Sequence, residues 1–257
     1  MTSPATLTQP REGVTTITLN RPSAFNALSE EMLATLKQSL QTVADDPTTK
    51  VVILAAEGKA YCAGHDLKEM RAQPSLDYYQ WLFTQCTEVM LAIQRLPQPV
   101  IAQVQGVATA AGCQLVAMCD LAVAAQEAKF AVSGVNLGLF CSTPSVALSR
   151  NLSRKQAMYM LLTGEFISAQ EAKEWGLVND VVPGDLLEEA TLALAGKILA
   201  KPTPALQLDK RLFYEQIEAN MARAYELAGQ TMACNMMDET ALEGVQAFIE
   251  KRPPNWN

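Results

Sequence analysis

Three almost unbroken apolar runs constrain the fold of this 257-residue chain more than any other feature. They are Val51–Leu54, Val100–Val104 and Leu121–Ala124. Strands that are covered on both faces have this composition, because neither face meets water. Segments with helical periodicity lie between them, at about Tyr78–Ile93 and Ala110–Met118. The alternation predicts an α/β fold in which a parallel sheet is built by right-handed crossovers.

The segments on either side extend this outline. Val14–Leu19 alternates β-branched residues as a strand does, and Ser29 opens an amphipathic helix that runs to about Asp46. Beyond Ser142 the periodicity is helical, except at Asp180–Val182, which suggests one more strand. The sequence contains no repeat and no linker long enough to separate two domains. The length therefore fits one large domain, or one domain with an appended segment.

Charge and cysteine usage exclude several classes of function. The chain carries a net charge of -7, whereas a nucleic-acid-binding surface needs clustered Lys and Arg. A single phosphorylated cofactor needs only a few local cations and stays compatible with this charge. The six cysteines are scattered without the spacing of a zinc or redox site, and His65 is the only histidine. We therefore expect reduced thiols and no metal.

The N-terminal segment carries no recognisable targeting pattern. Residues 1–13 have neither the apolar core of a signal peptide nor the Arg-rich pattern of a transit peptide. No later apolar run reaches the length of a membrane span. These features predict a cytoplasmic protein without a membrane partner.

Two turns rich in small residues follow two of the predicted strands. Residues 59–67 follow the Val51 strand, and residues 106–114 follow the Val100 strand and begin a helix. Loops that leave the carboxyl ends of neighbouring parallel strands form the ligand crevice of such sheets. Side by side, the two turns can aim two backbone N–H groups at one oxygen, as on a thioester carbonyl. The alternative is that the small residues only permit tight packing of helix against sheet.

Several motifs resemble one family over nearly the whole chain, the crotonase or enoyl-CoA hydratase/isomerase superfamily. The motifs are Leu19–Pro22 with Asn26–Ser29, Ala63–Asp66, Ala110–Cys113, and Leu162–Gly164 with Ile167–Ala172 and Gly176–Val178. Within the superfamily, the chain is most similar to the enoyl-CoA hydratase domain-containing group. The resemblance implies a crotonase-type ββα spiral core over residues 1–195 and a C-terminal helical trimerisation region over residues 196–257. It also implies a homotrimer or a dimer of trimers.

The resemblance implies a role for specific residues. The family's two oxyanion-hole amides correspond to the backbone N–H groups of His65 and Ala111. The coenzyme A part of an acyl-CoA substrate is expected to contact Asn26, Ala27, Leu28, Ala63, Lys68, Phe248 and Lys251. The last two of these would reach the adenine and ribose phosphate from a neighbouring subunit. No cofactor is expected apart from coenzyme A as part of the thioester.

The chain departs from the family where hydratases carry two glutamates. These positions hold Gln114 and Gly134. An amide cannot take a proton from water, and glycine offers no side chain. Hydration by the two-carboxylate route therefore lacks its acid and base, and isomerisation and hydrolysis stay open as reactions. A non-catalytic acyl-CoA-binding protein, or an interaction protein with a vestigial pocket, is the alternative to an enzyme.

Other side chains near the two turns are candidates for chemistry. His65 could act as a base through its imidazole, or it could contribute only its N–H and turn its side chain to solvent or to Asp66. Asp66 is expected to cap the helix that follows it. Gln114 could contact the substrate or a bound water, and Ser142 could act directly, as could the neighbouring Cys141. Cys62 and Cys113 are interpreted as small buried fillers.

Overall fold

The computed structural model describes residues 3–256, apart from the side chain of Pro10. Within this range the strands are β1 (Ala5–Arg11), β2 (Val14–Leu19), β3 (Val51–Ala56), β4 (Ala60–Cys62), β5 (Val100–Val104), β6 (Val107–Thr109), β7 (Leu121–Ala125), β8 (Lys129–Ala131), β9 (Ile167–Ser168) and β10 (Asp180–Val182). The α-helices are α1 (Glu30–Ala44), α2 (Leu67–Ala72), α3 (Leu76–Arg95), α4 (Ala111–Met118), α5 (Ser142–Asn151), α6 (Arg154–Thr163), α7 (Ala169–Trp175), α8 (Leu187–Leu199), α9 (Thr203–Ile217), α10 (Met221–Asn235) and α11 (Glu239–Glu250).

The strands form two sheets. The larger has the order β1-β2-β3-β5-β7-β10, and all its pairs are parallel except β1 with β2. The smaller has the order β4-β6-β8-β9, and β9 is its antiparallel edge. The predicted α/β fold with a parallel sheet is therefore confirmed.

The central strands are buried on both faces, as their composition predicted. All residues of Val51–Leu54 lie in the core, and β5 is buried apart from the half-buried Gln103. The helix α1 packs against β1, β2 and α3. It begins as predicted, because the Ser29 side chain accepts the N–H of Met32. This arrangement places the carboxyl ends of β4 and β6 close together in the smaller sheet.

The sequence patterns did not predict the short strands. The edge strand β1 and the strands β4, β6 and β9 of the smaller sheet were missed, and the prediction that Asp180–Val182 is the only strand beyond Ser142 is wrong. Ile167–Ser168 also pairs, antiparallel to Lys129–Ala131. Segments of two or three residues are too short to show a period, so only the tertiary pairing reveals them.

The chain divides into two compact units between Gly196 and Lys197. The second unit contains α9, α10 and α11, which the sequence showed as one long helical stretch. Asn220 separates two of them because its side chain caps α10 by accepting the N–H of Arg223. Met1, Thr2 and Asn257, at the outer ends of the two predicted segments, lie outside the described residues. The role of residues 196–257 in trimer formation stays a prediction.

Candidate active site

The two small-residue turns lie against each other. Gly64, in the first turn, has a φ of +89°, and a Cβ built on it would lie 2.9 Å from the Ala110 Cβ and 3.3 Å from the Ala111 nitrogen. Gly112, in the second turn, is equally close to the first, since its Cβ would lie 2.0 Å from the Cys62 carbonyl oxygen. The crevice predicted between the two loops is therefore built from backbone in direct contact.

The surrounding bonds leave the His65 and Ala111 amides available. Leu28 forms an isolated parallel bridge with His65: the Leu28 N–H donates to the Gly64 carbonyl at 2.7 Å, and the Asp66 N–H donates to the Leu28 carbonyl at 3.3 Å. In such a bridge the N–H of the middle residue points to the opposite side. Ala111 is the first residue of α4, so its N–H has no acceptor within the helix.

The residue before α4 has a strained backbone conformation. Ala110 has φ 50° and ψ -122°, a conformation that favours glycine. Its N–H donates to the Ala131 carbonyl at 3.0 Å, and beside it the hydroxyls of Thr109 and Ser133 are 2.9 Å apart. Strain of this kind costs on the order of 1–3 kcal/mol, and it persists only where surrounding contacts hold it. These bonds fix the direction of the Ala111 N–H.

The His65 side chain turns neither to solvent nor to Asp66. Its ring contacts the edge of Phe83 at a centroid distance of 5.3 Å, and its Nε2 atom is buried without a hydrogen-bond partner. Burial lowers the pKa of His65 to about 4. The imidazole is therefore neutral at pH 7 and would be a weak base.

Asp66 caps α2, as predicted. Its side chain accepts the N–H groups of Lys68 and Glu69, and it forms an ion pair with Arg21 at 2.8 Å. Burial acts to raise the pKa of this carboxyl, but the hydrogen bonds from Arg21 and the two amides lower it below its usual range. Asp66 is therefore a charged structural residue, and the link to Arg21 was not visible in the sequence.

Gln114 is the fourth residue of α4, and its N–H donates to the Ala110 carbonyl at 3.1 Å. Its side chain is 5% exposed, and its Oε1 atom is buried without a hydrogen-bond partner. A buried amide oxygen without a donor costs about 1–3 kcal/mol. A ligand or water that donated to it would remove this cost.

The other position that departs from the family's glutamates, Gly134, is occupied by a neighbour. The Gly134 N–H donates to the Cys141 Sγ atom at 3.3 Å, and this thiol sits where a side chain of residue 134 would begin. Ser142 begins α5 and is exposed, and its carbonyl accepts the Ser145 hydroxyl. The sequence placed Cys141 near the site but gave no sign of its contact with Gly134.

Three buried cysteines have thiols that stay protonated at neutral pH. Burial raises the pKa values of Cys62, Cys86 and Cys113 to about 12, and all cysteines in the described range are free. Cys62 and Cys113 are fully buried, in agreement with their interpretation as fillers. Within residues 3–256, no group of three or more His, Cys, Asp or Glu side chains is arranged to hold a metal ion. No helix of that range is long and apolar enough to cross a membrane.

The residues expected to contact coenzyme A fall into two groups. Asn26 is fully buried, and its side chain bonds the Arg21 N–H and the carbonyls of Glu57 and Ala60. It therefore holds the first turn in place and has no free side-chain group for a ligand. Leu28 and Ala27 are also buried.

The other expected contacts are more open. Ala63 is half-buried and donates its N–H to the Phe25 carbonyl at 3.0 Å, and Lys68 is exposed at the start of α2. In the second unit, Phe248 is 85% exposed on α11, and Lys251 ends that helix in the left-handed conformation. The contact of these residues with a ligand stays a prediction.

Comparison with known proteins gives consistent matches. The family described as Enoyl-CoA hydratase/isomerase matches residues 9–257. The Enoyl-CoA hydratase domain-containing protein 3, mitochondrial, of Danio rerio is 46% identical over 255 residues, which are 99% of this chain and 88% of that protein. The 2,3-dehydroadipyl-CoA hydratase of Escherichia coli is 33% identical and covered at 96% on both sides.

Solved structures match over almost the full length. An enoyl-CoA hydratase of Mycobacterium smegmatis has a TM-score of 0.96 and 62% identity, with 98% of each chain covered. The human enoyl coenzyme A hydratase domain-containing protein 3 has a TM-score of 0.94 and 46% identity, and covers 98% of this chain and 100% of its own. These structures share the crotonase-type α/β fold that the sequence predicted.

The prediction of a cytoplasmic location is contradicted by these comparisons. The relatives from Danio rerio, Rattus norvegicus and Homo sapiens are all designated mitochondrial. The prediction rested on residues 1–13, of which Met1 and Thr2 lie outside the described residues. A segment without a targeting pattern gives no positive signal for any compartment, so it could not carry that conclusion.

Proposed function

The chain belongs to the enoyl-CoA hydratase/isomerase family and is an enzyme of that type, and from this premise we propose that it holds an acyl-CoA thioester by its carbonyl oxygen. The donors are the backbone N–H groups of His65 and Ala111. One observation carries the proposal: Gly64 and Ala111 are in such close contact that a Cβ on the glycine would lie 3.3 Å from the Ala111 nitrogen. Both amides therefore border the same crevice.

Two backbone donors at this point favour enolate chemistry. Negative charge develops on a thioester oxygen when the α-carbon loses a proton, and fixed N–H groups stabilise it without reorganising. The strained Ala110 and the bonds around it keep the Ala111 donor in place. Hydration and isomerisation fit this chemistry, because both pass through an enolate of the thioester. Hydrolysis also fits, since the same donors would stabilise the tetrahedral oxyanion that forms when water attacks the carbonyl carbon, before the thiolate leaves.

Three side chains are candidates for the acid or base, and they differ in their ability to transfer a proton. Gln114 orients the acyl group or a water through its unpartnered Oε1 but takes no proton. His65 is neutral, so its side chain serves as a hydrogen-bonding group or a weak base. The exposed Ser142 hydroxyl is the remaining candidate for direct contact. No metal or separate cofactor is proposed.

The coenzyme A part is proposed to bind along the first turn. Because the Asn26 side chain is already engaged, contacts there come from backbone and from the small Ala27 and Ala63. Lys68 is exposed and positioned to meet a phosphate. Phe248 and Lys251 of a neighbouring subunit would complete the site in a homotrimer or a dimer of trimers.

The test is binding and turnover of a panel of CoA esters. The panel contains crotonyl-, 3-enoyl-, malonyl- and butyryl-CoA, with free coenzyme A as the control and His65→Ala run in parallel. A preferred ester at about one hundred times its Kd is expected to stabilise the protein by about 2.7 kcal/mol. The proposal would be contradicted if no ester stabilised the protein more than free coenzyme A does.

A second candidate function is acyl-CoA binding without catalysis. It is favoured by the loss of both carboxylates, at Gln114 and Gly134. The same panel separates the two functions. Product formation from any ester that is lost in His65→Ala identifies an enzyme with an unusual base, whereas clear binding without product identifies a binding protein.

A further inference from the structure

Space, rather than backbone conformation, excludes a side chain at position 134. Gly134 lies in a short 3-10 segment, Ser133–Leu137, and is absent from the glycines with positive φ. Any residue could therefore adopt its backbone angles. A Cβ at this position, however, would lie 2.6 Å from the Cys141 Sγ atom and 3.0 Å from the Leu139 carbonyl oxygen.

Of these two contacts, the shorter is with the thiol, and it is relieved only if the Cys141 side chain rotates away from the Gly134 N–H. The contact with Leu139 needs a shift of only a few tenths of an ångström, whereas 2.6 Å to sulfur is far inside van der Waals distance. The Cys141 side chain is half-buried, and its Sγ atom is held there by the N–H of Gly134 itself. Cys141 is also the residue that precedes α5, so its backbone position is set by that helix.

We propose that Cys141 is a specificity-determining residue, because its thiol fills the space that an acid or base at position 134 would need. The inference rests on the proposed function and on the family resemblance, which gives position 134 a hydratase glutamate. The neighbouring Ser133 is joined to the second turn by the 2.9 Å contact between its hydroxyl and that of Thr109. This role of Cys141 predicts that restoring the two glutamates alone does not make this chain a hydratase. The Cys141 thiol does not affect acyl-CoA binding. It prevents hydration by two carboxylates, because it occupies the space that a carboxylate side chain at position 134 would need.

The test restores both carboxylates with and without the thiol. The double variant Gln114→Glu/Gly134→Glu is compared with the triple variant that adds Cys141→Ala. A matched control triple variant carries Cys141→Val, which refills the space. We expect the Ala triple variant to hydrate crotonyl-CoA with a kcat at least about 100-fold above the other two, since general acid–base catalysis contributes about 10²–10⁴-fold. The Kd for butyryl-CoA is expected to agree within about threefold between the two triple variants, since they differ only at residue 141.

A stability measurement keeps the proposal testable if the glutamate variants do not fold. Gly134→Ala should lower the melting temperature in the wild-type background and lower it by less than half as much in the Cys141→Ala background. Equal losses in the two backgrounds would overturn the proposal. The proposal would also be overturned if the two triple variants, with Cys141→Ala and Cys141→Val, were both folded and hydrated crotonyl-CoA at the same rate. The absence of hydration by both folded variants counts as the same rate.

Different results would contradict the proposed function and the role of Cys141. If butyryl-CoA does not bind to the wild-type protein, the proposed function is wrong. If butyryl-CoA binds throughout but hydration does not depend on residue 141, only the role of Cys141 is wrong.

Discussion

Replacing Gly112 by alanine is expected to lower the free energy of unfolding by about 3 kcal/mol or more. The new Cβ would lie 2.0 Å from the carbonyl oxygen of Cys62 and 2.7 Å from its carbonyl carbon. Both atoms are backbone at the end of β4, so no side-chain rotation relieves the overlap. The two turns must separate, and the amides of His65 and Ala111 separate with them. Urea unfolding measures the stability loss, and butyryl-CoA binding is expected to be lost in the same variant.

The matched control is the same substitution at Gly229. This glycine lies exposed in α10, and a Cβ there would meet nothing within 4 Å. Gly229→Ala is expected to leave stability unchanged or raise it by about 0.5–1 kcal/mol, because glycine is unfavourable inside a helix. A Gly112→Ala protein as stable as the Gly229→Ala protein would show that the two turns are not in the contact described.

Acidification is expected to destabilise the protein through His65. Burial lowers the pKa of His65 from 6.5 to about 4 in the folded chain. Between these values the unfolded chain binds the proton and the folded chain does not, so a fall in pH favours unfolding. The stability that His65 contributes is fully present above pH 6.5. It is lost as pH falls towards 4, by about 3 kcal/mol in total.

The measurement compares unfolding of the wild-type protein and His65→Gln between pH 4 and 7. Carboxylates such as Asp66 titrate in both proteins, so their contribution cancels in the difference. The wild-type protein is expected to lose about 3 kcal/mol more than the variant over this range. Parallel pH profiles would mean that the imidazole is solvated in the folded protein and free to titrate normally.

The sequence predicted the long, strongly patterned elements well. Val100–Val104 has the predicted bounds, and the helix α1 begins after the predicted cap, Ser29. In both, burial and capping act along consecutive residues, so the pattern is visible in the chain itself. The smaller sheet was not predictable in this way, because strands of two or three residues such as Ile167–Ser168 exist only through their partners.

The candidate site was predictable in its backbone and not in its side chains. Gly64 and Gly112 marked the two turns, because close backbone approach requires small residues. Position 134 also stood out as a missing carboxylate. What fills its place could not be predicted, since Cys141 comes seven residues later and reaches it only through the turn between them. The strain at Ala110 could not be predicted either, because an alanine in a sequence does not indicate a positive φ.

The most direct test of the two backbone donors removes the Ala111 N–H while keeping every side chain. Incorporating lactic acid in place of Ala111 replaces its N–H by an ester oxygen. The Ala111 N–H has no acceptor within α4, so its removal breaks no helix bond. The ester carbonyl of Ala110 accepts the Gln114 N–H less strongly, so we expect a stability loss of about 1 kcal/mol or less. The Kd of butyryl-CoA is compared with that of S-butyl-CoA, a thioether without the carbonyl oxygen. We expect the wild-type protein to prefer the thioester about tenfold and the ester variant to lose most of that preference, with thioether binding unchanged. A preference that persists undiminished without the Ala111 N–H would contradict the proposed function.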